Sequence, residues 1–170
     1  RGLQILTRFE NAGALDANGR ELVVISNHPG PTLQVTYDAL GRPAVQTDVR
    51  GFRSYKVHDA QGRLRYEVDQ ERQITAYTYN AFGEVASTVR YANRLAEQHI
   101  PADGAAITLA AITASGVITA DPVNDRRVEF IYDQLGRKTV TLQSAVTYYY
   151  AAGLWQQDRP ESRFTYDAYG

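Results

Sequence analysis

Residues 37–83 read YDALGRPAVQTDVRGFRSYKVHDAQGRLRYEVDQERQITAYTYNAFG, and they contain one pattern three times. The copies are YDALGR at 37–42, VHDAQGRL at 57–64 and TYNAFGEV at 78–85. The glycine of each copy lies 21 residues after the glycine of the previous copy. A fixed period of this size indicates a repeated supersecondary unit.

A second turn motif lies midway between the main ones. DVRG at 48–51 has the same form, DQER at 69–72 is a degenerate copy, and DANG at 16–19 and NHPG at 27–30 extend the series upstream. The residue that opens each turn recurs every 10 or 11 residues, at Asp16, Asn27, Asp38, Asp48, Asp59, Asp69 and Asn80. Asp and Asn favour the first turn position because their side chains accept bonds from backbone N–H groups ahead. A glycine three residues later takes the left-handed conformation that closes a three-residue hairpin loop.

The segments between the turns alternate between apolar and polar residues. In RLRYEV at 63–68, Leu64, Tyr66 and Val68 alternate with charged residues. Alternation with a period of two is typical of a half-buried strand, and turns about 8–12 residues apart indicate consecutive antiparallel strands. The sequence therefore predicts a mostly β fold, an antiparallel meander of β-hairpins. The expected strands are 20–26, 31–37, 42–47, 52–58, 63–68, 73–79 and 84–91.

The repeat is interrupted after Tyr91. The distance from Gly83 to the next motif glycine, Gly136, is 53 residues, which is 32 more than one period. The inserted segment contains PADGAAITLAAITASG at 101–116, which predicts a short helix near 104–114. Asp103 would be its N-cap, and Gly116 would follow its last residue. The expected parts are a YD-repeat meander at 1–91, a partly helical insertion at 92–127 that packs on one face of the sheet, and resumed strands at 128–170.

Composition excludes several classes of function. The formal net charge of −1 supplies no basic surface for nucleic acid. No run of about 18 apolar residues exists that could span a membrane, and the absence of cysteine removes disulfides and thiolate metal sites. The chain starts without Met and ends inside a further motif copy, TYDAYG at 165–170, so we expect it to be part of a longer protein.

The motif copies resemble the YD repeats of the Rhs family. YDALGR, HDAQGRL, YNAFGEV, IYDQLGRK and TYDAYG carry the resemblance, and the 21-residue spacing matches as well. The resemblance covers 14–91 and 128–143, whereas 92–127 and 144–163 depart from the repeat. The motif positions are Tyr37, Asp38, Gly41, Arg42, His58, Asp59, Gly62, Arg63, Tyr79, Asn80, Gly83, Tyr132, Asp133, Gly136, Arg137, Tyr166, Asp167 and Gly170.

In that family the repeats form a long β-ribbon that spirals into a hollow shell. Family members include bacterial toxin-complex subunits, secreted polymorphic toxins and animal teneurins. The resemblance implies a non-enzymatic shell segment that encloses or carries a toxin or effector domain of a large secreted or surface-exposed bacterial protein. The implied partners are the remaining repeats and the enclosed domain. The resemblance implies no cofactor and no catalytic residue in the repeats.

Metal and catalytic sites are poorly supported by the residue pattern. No HxH or HExxH spacing links the three histidines, His28, His58 and His99, so a metal site is not expected. His58 occupies the aromatic position of the repeat and is interpreted as a substitute for Tyr. The turn aspartates could be taken for paired carboxylates or calcium ligands, but their period explains them as turn formers. We therefore expect no enzyme activity.

The aromatic residues support one rival function. Twelve Tyr, five Phe and one Trp could stack on sugars, which would make the chain a carbohydrate-binding adhesion module with Tyr149 and Trp155 as glycan contacts. Against this hypothesis, β-strands favour aromatic residues for packing reasons alone. Aromatic contacts with an enclosed domain are a further alternative. An isolated segment of ribbon would also leave a strand edge and an apolar face uncovered, so self-association is expected.

Overall fold

A computed structural model of the chain describes residues 4–8, 14–15, 21–22, 32–151 and 154–167. Within these ranges the regular structure is mostly β-strand with almost no helix, which confirms the predicted fold class. The strands are β1 (Gln4–Arg8), β2 (Ala14–Leu15), β3 (Glu21–Leu22), β4 (Thr32–Tyr37), β5 (Pro43–Thr47), β6 (Arg53–His58), β7 (Leu64–Val68), β8 (Gln73–Tyr79), β9 (Val85–Arg94), β10 (Arg126–Tyr132), β11 (Lys138–Gln143), β12 (Val146–Ala151), β13 (Leu154–Asp158) and β14 (Glu161–Arg163). The helical elements are α1 (Leu109–Ile112) and a 3₁₀ turn at Glu97–His99.

Ten strands form one antiparallel sheet in the order β1-β4-β5-β6-β7-β8-β9-β10-β11-β14. From β4 to β11 each strand pairs with the next strand in the sequence, which is the predicted meander. The strands β12 and β13 form a separate hairpin, and β2 and β3 form another. Because β14 pairs with β11, the large sheet bypasses the β12–β13 hairpin.

One hydrogen-bond pattern closes the hairpin turns. At Asp38, the backbone N–H donates to the carbonyl of Arg42 (2.8 Å), and the N–H of Gly41 donates to the carbonyl of Asp38 (3.0 Å). Oδ1 of Asp38 also accepts from the backbone N–H groups of Leu40 (2.9 Å) and Arg42 (3.0 Å). The same four bonds recur in the turns that open at Asp48, Asp59, Asp69, Asn80 and Asp133. The side chain of the first turn residue therefore fixes each loop.

The turn glycines have the left-handed conformation that a three-residue loop requires. The backbone φ is +76° at Gly41, +84° at Gly62 and +75° at Gly136, as predicted. In the degenerate turn at 69–72, Arg72 occupies the glycine position with a φ of +66°. An L side chain is strained in this region, so the hydrogen bonds of Asp69 hold a conformation that Arg72 disfavours.

The core lies between one face of the sheet and the insertion. Val45, Tyr55, Val68 and Ile74 are directly opposite one another across β5, β6, β7 and β8. Each of these four side chains is 3% exposed or less. The insertion adds Leu95, Ile107 and Ile112 to the same cluster. The insertion therefore packs on one face of the sheet, as the sequence predicts.

The insertion does not interrupt the sheet. Strand β9 continues to Arg94, and β10 begins at Arg126 and pairs with β9 in antiparallel register. Val89 lies opposite Arg127, and Thr88 lies opposite Val128. The chain thus leaves the sheet after β9, covers its apolar face, and returns to the edge that it left.

The helix in the insertion is shorter than predicted and has a different N-cap. It covers Leu109–Ile112, and Oγ1 of Thr108 accepts from the backbone N–H of Ala111 (3.1 Å). The prediction of Asp103 as N-cap is wrong, because Asp103 accepts from the N–H of Ala105 (3.0 Å) in a separate turn. Gly104 has a φ of +74° in that turn, which prevents a helix from starting there. No helix in the described ranges is long and apolar enough to cross a membrane.

Candidate functional site

The main turns form a row along one edge of the sheet. We call this set the turn row, and it consists of residues 38–42, 59–63, 80–84 and 133–137. Neighbouring turns in the row are two strands apart, which corresponds to roughly 9–10 Å. The half-period turns at 48–52 and 69–73 connect the opposite strand ends. The spacing allows side chains of one turn to reach the next.

Each turn in the row contains a pair between its first and fifth residues. Nε of Arg42 lies 2.7 Å from Oδ2 of Asp38. Equivalent ion pairs join Asp59 to Arg63 and Asp133 to Arg137. The third turn keeps the pair with reversed roles, since Nδ2 of Asn80 donates to Oε2 of Glu84 (2.7 Å). Glu84 therefore occupies the position of the turn arginine and is one half of an exchanged pair.

The turn carboxylates are held in their ionised form. Burial raises the pKa of Asp59, but hydrogen bonds from the backbone and side chain of Arg63 outweigh it, so the pKa lies below its ordinary value. At Asp38, burial likewise raises the pKa, and hydrogen bonds from the backbone and side chain of Arg42 outweigh it, so the pKa is lowered. At Asp133 the backbone N–H of Arg137 makes the largest contribution to a lowered pKa. The oxygens of these carboxylates are occupied by the turn itself, which leaves them poorly suited to act as a general base or a metal ligand.

Three tyrosine hydroxyls connect a unit to the preceding one. Each of these tyrosines comes directly before a motif Asp or Asn and donates to the carbonyl of the first residue after the preceding turn of the row. The bonds run from Tyr79 to Leu64 (2.7 Å), from Tyr132 to Val85 (2.9 Å) and from Tyr166 to Lys138 (2.7 Å). The bond from Tyr132 joins units on either side of the insertion. The ladder of units therefore continues across it.

Arginine side chains provide a second connection between units. Nη1 of Arg42 donates to the carbonyl of Asp59 in the next turn (3.1 Å). Guanidinium groups also lie over the aromatic rings of the following unit, Arg63 at 5.0 Å from the Tyr79 ring and Arg137 at 4.6 Å from the Tyr166 ring. These distances are within the range of cation–π contacts. Each turn arginine thus binds its own aspartate and the neighbouring unit.

Two turn glycines are also needed for close contact between units. A Cβ at Gly62 would lie 3.2 Å from Nη1 of Arg42, and a Cβ at Gly136 would lie 2.7 Å from Oε1 of Glu84. A Cβ at Gly41 would have no neighbour within 4 Å. Positive φ is therefore a sufficient reason for glycine at position 41. At position 62, glycine also leaves room for the arginine of the preceding turn.

Gly62→Val is expected to lower the free energy of unfolding by about 1–3 kcal/mol, because a β-branched residue is strained at positive φ. Gly41→Val is the matched control, since Gly41 has the same conformation without the contact to the preceding unit. Urea unfolding of both variants should show the larger loss for Gly62→Val. Equal losses would show that the contact between Arg42 and Gly62 contributes nothing.

His58 occupies the aromatic position of its unit, as expected, but it lacks the hydroxyl that Tyr79 and Tyr132 use. Its Nδ1 lies 4.0 Å from Oδ2 of Asp38. Burial lowers the pKa of His58, and the charge of Arg42 lowers it further. The imidazole is consequently neutral at pH 7 in the folded protein.

A lowered histidine pKa makes stability depend on pH in a defined window. Above about pH 6.5, the ordinary pKa of histidine, His58 is neutral in both the folded and the unfolded protein, and the free energy of unfolding is not reduced by its protonation. As the pH falls from there toward the folded pKa, the unfolded state binds the proton first and stability decreases. Urea unfolding at pH 7.5 and 5.5 should show this decrease in the wild type, and a smaller one in His58→Tyr. A wild type that becomes more stable at pH 5.5 would contradict the assignment.

Several predicted site residues fall partly or wholly outside the described structure. Gly170 and the upstream turns at 16–19 and 27–30 lie outside the described residues. The backbones of Tyr149 and Trp155 are opposite each other in the β12–β13 hairpin. The placement of their side chains lies outside what the structure describes, so their role as glycan contacts stays a prediction.

The polar groups of the turn row are engaged in contacts within the sheet. In the part of the chain that the structure describes, no group of three His, Cys, Asp or Glu residues could hold a metal ion. The carboxylates, arginines and tyrosine hydroxyls of the row bind one another and the backbone. Neither a family model nor a curated protein matches the chain.

Proposed function

We propose that the chain is a non-enzymatic structural segment of a β-shell of the Rhs or YD-repeat type. The shell would enclose or carry a toxin or effector domain of a large secreted or surface-exposed bacterial protein. The observation that carries the proposal is the ladder of contacts between units. Neighbouring units are joined by a tyrosine contact, an arginine contact or both. Because these contacts lie at equivalent positions, the ribbon can be extended by adding units without changing its geometry.

The continuity of the ladder supports a scaffold function in particular. The hydroxyl of Tyr132 binds the carbonyl of Val85 (2.9 Å) although 46 residues lie between them in the sequence. A chain whose contacts reform after such a long insertion keeps the ribbon continuous. A twisted sheet of this kind curves as it lengthens, which suits a wall that surrounds a second domain.

The tips of the turn row supply a surface for contact with a neighbour. Leu40, Phe82 and Leu135 occupy the same turn position in three units and are 71%, 89% and 75% exposed. Exposed apolar side chains in a regular row favour association with another surface. In the proposed shell that surface belongs to an adjacent stretch of ribbon or to the enclosed domain.

A protease-protection experiment on the intact protein that carries this chain tests the proposal. The enclosed domain should resist a protease that digests it when it is expressed alone. The double variant Asp59→Ala and Asp133→Ala, which removes two turn carboxylates, should expose the domain to cleavage. Glu161→Gln, on the exposed strand β14, is the control and should keep the protection. Cleavage of the domain in the wild-type protein as fast as in the domain expressed alone would refute the enclosure.

The proposal also predicts how the 170-residue chain behaves alone. In the described residues, β1 and β14 are the terminal strands of an open sheet. Open edges pair with other chains, and a net charge of −1 opposes association weakly. Sedimentation velocity across a hundredfold dilution should show oligomers that dissociate on dilution. A folded monomer at every concentration would identify an independent module instead of a shell segment.

A further inference from the structure

An open cleft of about 810 Å³ lies away from the turn row. Its lining comes from the adjoining strands β9 and β10, from the loop that precedes β10, and from the β12–β13 hairpin with its flanks. The volume is within the range of about 300–1,000 Å³ that small-molecule sites have. Among the described residues, no contact of the turn row involves this cleft, so the cleft residues need a separate explanation.

Positive charge dominates the lining. Three arginines line the cleft, namely Arg126, Arg127 and Arg159, against one carboxylate, that of Asp125. The carboxylate oxygens of Asp125 accept from the backbone N–H groups of Ala92 (2.7 Å) and Asp121 (2.9 Å). Asp125 therefore fixes the loop, and within the described residues it forms no ion pair with the arginines beside it.

One further carboxylate serves two of the arginines. Oε1 of Glu129 lies 2.8 Å from Nε of Arg127, and Oε2 of Glu129 lies 2.6 Å from an Nη of Arg159. The hydrogen bond from Arg159, followed by that from Arg127, lowers the pKa of Glu129 below its ordinary value. Both guanidinium groups keep further N–H donors, since each carries five. The three arginines thus exceed the two nearby carboxylates by one positive charge.

Arg126 is the arginine without a counter-ion. Among the described residues, its side chain has no ion pair and no hydrogen bond. It also lies directly opposite Arg90 in the β9–β10 register. Like charges in opposed positions destabilise a sheet, so the fold alone gives no reason for arginine at this position. An anion bound in the cleft would give one.

We propose that this cleft binds a carboxylate group of an acidic saccharide. A planar guanidinium donates two parallel hydrogen bonds to a carboxylate, and such charge-assisted bonds are among the strongest in proteins. The rest of the lining suits sugar hydroxyls. Thr147 and Gln157 face each other across the β12–β13 hairpin as exposed polar side chains, and half-buried Tyr91 adds an aromatic ring. This site is independent of the proposed shell function.

An NMR titration of the 170-residue chain with trigalacturonate tests the site. Saturable shifts are expected for the backbone amides of 125–127, 144–147 and 157–159, with affinity that decreases as salt concentration rises. Arg126→Gln should weaken binding by about tenfold without lowering the thermal midpoint, because Arg126 has no partner in the fold and lies opposite Arg90. Arg163→Gln is the control, since Arg163 is exposed on β14 outside the cleft and pairs with Glu161.

Three results would overturn the inference. The first is an absence of saturable shifts up to about 10 mM trigalacturonate, a concentration that detects even weak sites. The second is equal binding of a neutral galactose trimer, which would show that the arginines are not used. The third is equal or tighter binding of triglutamate, which would identify an acidic peptide as the ligand class.

Discussion

Asp59→Ala is expected to lower the free energy of unfolding by about 3 kcal/mol. A hydrogen bond to a charged group contributes about 1.5–3 kcal/mol, and the substitution removes the shared acceptor of several such bonds. Asp59 is only 6% exposed. Its carboxylate accepts from the backbone N–H groups of Gln61 (3.0 Å) and Arg63 (2.9 Å) and from Nε of Arg63 (2.9 Å). The substitution leaves all three donors without an acceptor. Urea unfolding at pH 7 measures the loss.

Asp48→Ala is the matched control for this prediction. Asp48 accepts the same two backbone bonds, from Arg50 and Phe52, in a turn that is exposed to solvent. Its ion pair to Arg50 is long, at 3.7 Å. Water replaces the lost acceptor in such a turn, so the expected loss is about 1 kcal/mol. If both variants lose the same stability, the turn row is no more important to the fold than any hairpin loop.

Ile112→Ala is expected to cost about 3 kcal/mol, within the range of 2–5 kcal/mol for truncating a buried Ile or Leu. Ile112 is 1% exposed and joins the insertion to the core of the sheet, together with Leu95 and Ile107. Its loss should loosen the insertion before the sheet. Hydrogen exchange should therefore show reduced protection in 95–118, with smaller changes in β6, β7 and β8.

Val123→Ala is the control in the same insertion, because Val123 is 81% exposed. Its effect should stay within about 0.5 kcal/mol, as for other surface substitutions. Uniform loss of protection across the whole sheet in Ile112→Ala would contradict the account. That result would mean that the insertion and the sheet unfold as one unit.

The turns could be predicted from the sequence because their chemistry is local. Asp or Asn and the glycine three residues later determine the loop between them, so Asp38 with Gly41 suffices to locate one.

The helix in the insertion could not be located from local sequence in the same way. Asp103 resembles an N-cap in the sequence, but Gly104 takes positive φ and no helix begins there. The guanidinium of Arg53 lies so close to Gly104 that a Cβ added at Gly104 would be 2.9 Å from Cζ of Arg53. That contact depends on packing against the sheet.

The connections between units could not be predicted in the same way. They depend on the distance between neighbouring turns and on side-chain rotamers, which only the folded sheet determines. The sequence nevertheless indicates the contact between Glu84 and Asn80. The change from Arg to Glu at the fifth turn position coincides with a change from Asp to Asn at the first, Asn80. Such a paired change indicates direct contact, and the structure shows the bond.

The pairing of β9 with β10 is the least local feature of the fold. The sequence shows that the repeat is interrupted and that strands resume from 128, but it does not show which strand edge the returning chain joins. The return is set by the open edge of β9, which offers unpaired backbone groups to the next available strand. The core residues Ile107 and Ile112 then hold the intervening segment against the apolar face.

Interstrand NOEs measure whether the sheet is continuous across the insertion. Opposed backbone positions in antiparallel strands are about 4.5–5.5 Å apart. NOEs between backbone protons of Thr88 and Val128, and of Val89 and Arg127, are predicted. NOEs between Tyr66 and Ala76, within an ordinary hairpin, serve as the internal standard. If the standard pair gives NOEs and both pairs across the insertion give none, the ribbon ends at β9 and the account is wrong.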